Sequence, residues 1–182
     1  MQYRHVGNSD LQVSLIGLGC NNFGARMTTE DARPIVYKAL DLGVTLFDTA
    51  DSYGSGGSES ALGDILGSRR QDIVLASKFG LSLEDSPRRV VPTTRDYIMN
   101  AVEGSLRRLQ TDWIDLYQLH ALHAETAMDE VLRALDDLIT QGKVRHVGCS
   151  NLSAWRVVDA NWIAETQGHS SFVSSQNEYN LL

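Results

Sequence analysis

Asp48, Tyr53, Lys78 and His120 stand at, or just past, the ends of three successive short apolar runs, Val44–Asp48, Ile73–Lys78 and Trp113–His120. Their types suit one kind of chemistry. A carbonyl that accepts hydride develops negative charge on its oxygen and needs a proton donor aimed there. A tyrosine has an ordinary pKa of about 10, too high for an ideal acid. A neighbouring ammonium stabilises the phenolate and corrects this. Lys78 can be that ammonium, and Asp48 can hold it charged, because a lone buried ammonium tends to lose its proton. His120 can donate a second hydrogen bond to the carbonyl oxygen or relay a proton. His123, in the loop that follows, is expected to matter far less.

Taken singly, each residue has an ordinary structural role: Asp48 as a turn or cap, Lys78 on the surface, Tyr53 in loop packing, His120 in a satisfied core position. Their joint placement at consecutive strand ends favours chemistry. A metal site is the rival joint reading. It needs clustered ligands, whereas His5, His146 and His169 are scattered and no carboxylate and histidine set accompanies His120 and His123. No metal is expected.

The elements that must position these residues alternate in kind. Short, nearly continuous apolar runs cover Val13–Cys20, Val44–Asp48, Ile73–Lys78, Trp113–His120, Val144–Cys149 and Phe172–Gln176. That is the pattern of strands buried on both faces. Helical spacing fills the intervals: Ile98, Val102, Leu106 and Leu109 form one stripe, and Val131, Leu132, Leu135, Leu138 and Ile139 another. Gly43 and Gly142 sit where left-handed caps end helices. From the second strand onward the strands start roughly thirty residues apart, the size of a βα unit.

Two α/β folds fit, a doubly wound sheet and a (βα)8 TIM barrel. Gly17-Leu18-Gly19-Cys20-Asn21-Asn22 lacks the third glycine of the doubly wound fingerprint. Polar residues also follow nearly every strand: after the first three, Ser150 and Asn151 follow the fifth and Gln176 ends the sixth. A barrel gathers such ends into one mouth. The expectation is a single barrel domain over residues 1–182, incomplete at about six strands and five helices and lacking the last two βα units, since a closed barrel takes about 250 residues.

Bulk properties narrow the function. A net charge of −7 argues against a nucleic-acid surface. No apolar run approaches the roughly 18 residues of a membrane span, and the N-terminus lacks a signal-peptide core. Cys20 and Cys149 read as reduced packing thiols, and the expected compartment is the cytoplasm.

Leu42-Gly43-Val44-Thr45-Leu46-Phe47-Asp48-Thr49-Ala50-Asp51-Ser52-Tyr53-Gly54 resembles the first motif of the aldo-keto reductase family. Leu75-Ala76-Ser77-Lys78, Ser105-Leu106-Arg107-Arg108-Leu109, Trp113 to His120, Val147-Gly148-Cys149-Ser150-Asn151 and Gln176-Asn177-Glu178-Tyr179-Asn180 are similar to later motifs, in the same order. The Ser-Gly-Gly-Ser-Glu run after Tyr53 resembles the branch of aryl-alcohol dehydrogenase-like enzymes and potassium-channel β subunits. The resemblance implies a tetrad of Asp48, Tyr53, Lys78 and His120, NADPH (less often NADH) as hydride donor, and Ser150, Asn151 and Gln176 around the nicotinamide carboxamide. It implies a small-molecule aldehyde or ketone as substrate. The alternative is a noncatalytic regulatory module, or an inactive fragment, that retains the tetrad. The family's phosphate and adenosine site lies on strands beyond this sequence, so weak cofactor binding and homo-oligomerisation of the chain alone are expected.

Overall fold

The structure, a computed structural model, describes residues 1–83 and 89–181. The chain opens with an antiparallel hairpin, β1 (Tyr3–His5) and β2 (Gln12–Ser14). It then lays down six parallel strands: β3 (Gly17–Gly19), β4 (Leu46–Asp48), β5 (Val74–Phe79), β6 (Ile114–Leu119), β7 (Val144–Ser150) and β8 (Ser175–Gln176). One helix lies in each crossover: α1 (Thr29–Asp41), α2 (Gly57–Leu66), α3 (Arg95–Leu109), α4 (Met128–Thr140) and α5 (Ala154–Gln167). Neighbouring strands follow the order of the sequence from β3 to β8. A doubly wound sheet would reverse its order at a switch point; the unbroken order is that of a (βα)8 barrel, here a partial one.

Local sequence accounts for the helices. Thr28 caps α1, its side chain accepting from Asp31 N while the Asp31 carboxylate accepts from Thr28 N, so the exposed donors of the first turn are satisfied reciprocally. Thr94 caps α3 in the same position. Gly43 and Gly142 follow α1 and α4 at φ +79° and +73°, where a side chain would be strained. The α3 stripe Ile98, Val102, Leu106 and Leu109 is buried, as are Val131, Leu132, Leu135 and Leu138 of α4; Ile139 is only half-buried. The α3 face packs on β5 and the α4 face on β7, and every residue of β6 between those two strands is buried.

The ends of the sheet differ from the sequence expectation. The run Val13–Cys20 is two strands, not one. Val13 belongs to the hairpin, and the barrel strand begins at Gly17. A Gly7-Asn8-Ser9-Asp10 turn folds the chain back, with Gly7 at φ +54° and Val6 N donating to Leu11 O at 2.9 Å. The hairpin then buries Leu11 and Val13 against Ala76 and Leu116 of the sheet. At the other end, the sixth strand is short: β8 spans only Ser175 and Gln176 beside β7, although the chain before it is also tied to β7, Val173 N donating to Val147 O at 2.9 Å and Ser174 O accepting from Cys149 N at 3.0 Å.

The two-residue period of a strand sorts one face of the sheet by height. On β4, β5 and β6 the same face carries Leu46, Val74, Ala76 and Leu116 near the hairpin, and these pack together. One step further along each strand the same face presents Asp48, Lys78 and Gln118. The lower, apolar layer is closed by the hairpin, and the upper, polar layer opens at the carboxyl ends of the strands.

Candidate active site

Lys78 is fully buried on β5, and its ammonium donates to three oxygens. It reaches Asp48 Oδ2 at 2.8 Å, the Thr49 carbonyl at 2.9 Å and the Tyr53 hydroxyl at 3.3 Å. Three donors and three acceptors satisfy an ammonium completely. Asp48 is one residue from Thr49, so a single strand end supplies two of the acceptors. Asp48 also receives long bonds of 3.4 Å from Gln118 Nε2 and Gln176 Nε2.

Tyr53 is placed by a loop laced onto β5. Thr49 N donates to Ala76 O and Asp51 N to Lys78 O, at 2.9 and 3.1 Å. The chain beyond Tyr53 then makes a tight left-handed passage, with Gly54 at φ +57°, Ser55 at +54° and Gly56 at +90°. Two of these three positions are glycine, as such backbone demands. A side chain at Gly56 would also collide with Arg108. The Ser55 hydroxyl donates to Leu83 O, tying this loop to the one after β5.

His120 lies just past β6, with its ring 5.7 Å from that of Tyr53, edge to face. Its backbone is held from both sides: His120 N donates to Phe79 O at 2.8 Å, and His120 O accepts from Asn151 Nδ2 at 2.9 Å. His123 turns to its own loop, where Nδ1 accepts from Glu125 N at 3.3 Å. Past β7, Asn151 has φ +55° and its Nδ2 also donates to Ser150 Oγ at 3.0 Å, while Ser150 Oγ donates to Gln176 O at 2.7 Å. All seven residues singled out in the sequence therefore lie along one connected rim.

The structure adds neighbours that the sequence reading passed over. Gln118 could have been found, as the polar residue between Leu116 and His120 on the inward face of an apolar strand. Behind the site, fully buried Glu59 pairs with Arg108 at 2.7 Å and accepts from the Ser77 hydroxyl. Asp51 is buried beside that pair. Burial first, and the nearby Glu59 carboxylate second, push Asp51 up to about 8. Glu59 and Arg108 are far apart in sequence and carried no local signal.

The donor set at the rim suits a carboxamide. Among the described residues, none donates a hydrogen bond to Asn151 Oδ1 or Gln176 Oε1, so both can receive N–H groups. Gln176 Nε2, whose bond to Asp48 is a long 3.4 Å, can donate to a carbonyl. The Ser150 hydroxyl already donates to Gln176 O, so it contributes by holding that strand in place. Among the described residues, no group of three or more His, Cys, Asp or Glu is placed to hold a metal ion. Cys20 and Cys149 are buried and unpaired, and burial pushes both thiols up.

Comparison with known proteins points the same way as the geometry. The sequence profile of the Aldo/keto reductase family matches residues 15–182. Among curated proteins, the uncharacterized oxidoreductase YrpG of Bacillus subtilis is 37% identical over 192 residues, covering 100% of this chain and 59% of its own length. Versiconal hemiacetal acetate reductase of Aspergillus parasiticus is 33% identical, covering 100% of this chain and 60% of its own. A solved aldo-keto reductase from Bacillus halodurans, in its holo form, is 40% identical with a TM-score of 0.84, covering 100% of this chain and 59% of its own. The chain thus spans about three-fifths of the length of the relatives it matches.

Proposed function

The chain belongs to the aldo/keto reductase family, and from that premise we propose that the full-length protein is a nicotinamide-dependent oxidoreductase reducing small-molecule aldehydes or ketones to alcohols. One observation carries the reading: a buried lysine ammonium bridges a carboxylate, at 2.8 Å, and a tyrosine hydroxyl, at 3.3 Å. An ion pair built for stability alone has no need of the phenol.

Tyr53 is the general acid in this reading. As the carbonyl carbon takes hydride, the carbonyl oxygen takes the Tyr53 proton, and Lys78 stabilises the phenolate left behind. Asp48 keeps Lys78 charged and aimed. His120, edge-on to Tyr53, adds a second donor to the developing oxyanion. A reduced nicotinamide bound at the mouth supplies the hydride; on family grounds we assign NADPH, with NADH the less common donor. Asn151 and Gln176 would hold its carboxamide, and Ser150 would brace them. The test is oxidation of NADPH on addition of a panel of aromatic and aliphatic aldehydes. Aldehyde-dependent oxidation by the full-length protein is expected, and none with any aldehyde or with NADH would sink the reading.

We place the protein in the cytoplasm, a reading supported by two buried, unpaired thiols. No helix among the described residues is long and apolar enough to cross a membrane. The 182-residue chain alone should self-associate. The edges of β3 and β8 carry unpaired backbone groups, and α5 exposes Trp155, Val158 and Trp162. Light scattering reads this directly: a mass above the 20.1 kDa of one chain is expected, and a monodisperse monomer would contradict it.

A further inference from the structure

Asp51 is a buried acid that the proposed chemistry does not use. It is 2% exposed, its Oδ1 has no hydrogen-bond partner among the described residues, and it lies two residues before Tyr53. Its backbone N–H donates to the Lys78 carbonyl, so its own main chain is part of the loop that aims the phenol. A cavity lined by Tyr97, Asn100, Arg107 and Arg108 borders Asp51.

We propose that Asp51 is a positioning residue for the Lys78–Tyr53 pair: a proton-bearing acid behind the site whose ionisation adds a negative charge that the pair feels. The inference rests on the reading of Tyr53 as the acid. The charges around Asp51 are named by the elements packed against it. Glu59 on α2 opposes its ionisation, and Arg108 on α3 and Lys78 on β5 favour it. The phenols of Tyr97 on α3 and Tyr117 on β6 face it as well, and its charge is one of the influences that push both of them up. An unpartnered, buried oxygen beside a full carboxylate is best accommodated as a neutral carboxyl. Asp51 is therefore protonated at neutral pH and gains charge in mildly alkaline solution. That added charge attracts the Lys78 ammonium, whose third bond goes to the Tyr53 hydroxyl, so it acts on the pair through Lys78.

Two measurements separate this inference from the reading it rests on, and both use the full-length protein. The first needs no turnover. The carboxyl carbon of Asp51, followed by NMR in the wild type, should titrate with a midpoint of about 8. The phenolate absorbance of Tyr53, taken as wild type minus Tyr53→Phe, should appear at lower pH in Asp51→Asn than with Asp51 in place. The second is the pH profile of aldehyde reduction. Asp51→Asn should match the wild type at pH below about 7 and fall behind it in alkaline solution, by up to about tenfold. Asp51 titrating in the ordinary carboxylate range, or a Tyr53 absorbance indifferent to Asp51→Asn, would overturn the inference even if the enzyme is fully active. If both titrations behave as expected but no variant reduces any aldehyde, the inference stands and the proposed activity fails.

Discussion

Two buried ion pairs sit at opposite ends of this barrel. Near the amino ends of the strands, Arg70 meets Asp115; at the carboxyl ends, Lys78 meets Asp48. Both cation–carboxylate distances are 2.8 Å. Their surroundings differ. Asp115 is saturated: it accepts from Arg70 Nη2 and Leu75 N on one oxygen, and from Trp113 Nε1 and Arg145 Nη1 on the other, all within 3.0 Å. The Arg70 and Arg145 guanidiniums lie over the Trp113 ring at 4.7 and 4.9 Å. Asp48 has one short bond, to Lys78, and two long ones. The first carboxylate has nothing left to offer a ligand. The second holds a lysine whose remaining reach extends to a phenol at the open end. The carboxylate of an ion pair signals chemistry when its own bonds are few and lead toward the open end of the barrel, and architecture when they are complete.

The comparison predicts unequal responses to the same kind of damage. Asp115→Ala should destabilise the fold by about 3–5 kcal/mol, read from the urea midpoint, because an arginine cannot shed its charge when its partner is removed. A cost below about 1 kcal/mol would erase the distinction between the two ends. At the mouth the large effect should fall on rate. His120→Ala should lower aldehyde turnover by about ten- to a hundredfold, while His123→Ala changes it by less than about twofold. Equal losses would mean that the histidine beside Tyr53 was misassigned. Asp48→Asn should cost only about 1–2 kcal/mol of stability, since a lysine, unlike an arginine, can neutralise itself. A loss as large as that of Asp115→Ala would make Lys78–Asp48 a structural pair.

The last effect concerns pH. Asp51 lies at 3.8 when unperturbed and at about 8 in the folded chain. A raised value in the folded state means that stability is fully present below the unfolded value and declines as pH rises toward about 8. The apparent Tm of the wild type should therefore drop over that window, and that of Asp51→Asn should drop less. Parallel curves for the two proteins would show that Asp51 ionises in both states alike.

The sequence showed the mouth of the barrel more clearly than its ends. Strands β5 and β6, and β7 from Val147 onward, are buried on both faces, so each polar residue that terminates one stands out: Lys78, His120, Ser150. Gly17–Gly19 and Ser175–Gln176 border the sheet, where burial is incomplete and the apolar signal blurs. The hairpin was hidden because Val13 and Leu18 form one apolar stretch, although Val13 packs below the sheet and Leu18 lies within it; only the Gly7–Asp10 turn marked the fold-back. The buried charges behind the site were illegible for a different reason. Glu59, Arg108 and Asp51 meet only through the packing of α2 and α3 onto the β4 loop, and no local period joins them.

The central claim is that the phenol at the end of the Asp48–Lys78 pair delivers the proton. The most direct measurement is steady-state reduction of one good aldehyde by the full-length protein and its Tyr53→Phe variant, with NADPH affinity measured alongside. Turnover should fall by at least about a hundredfold while cofactor affinity changes little. Near-normal turnover in Tyr53→Phe would contradict the account.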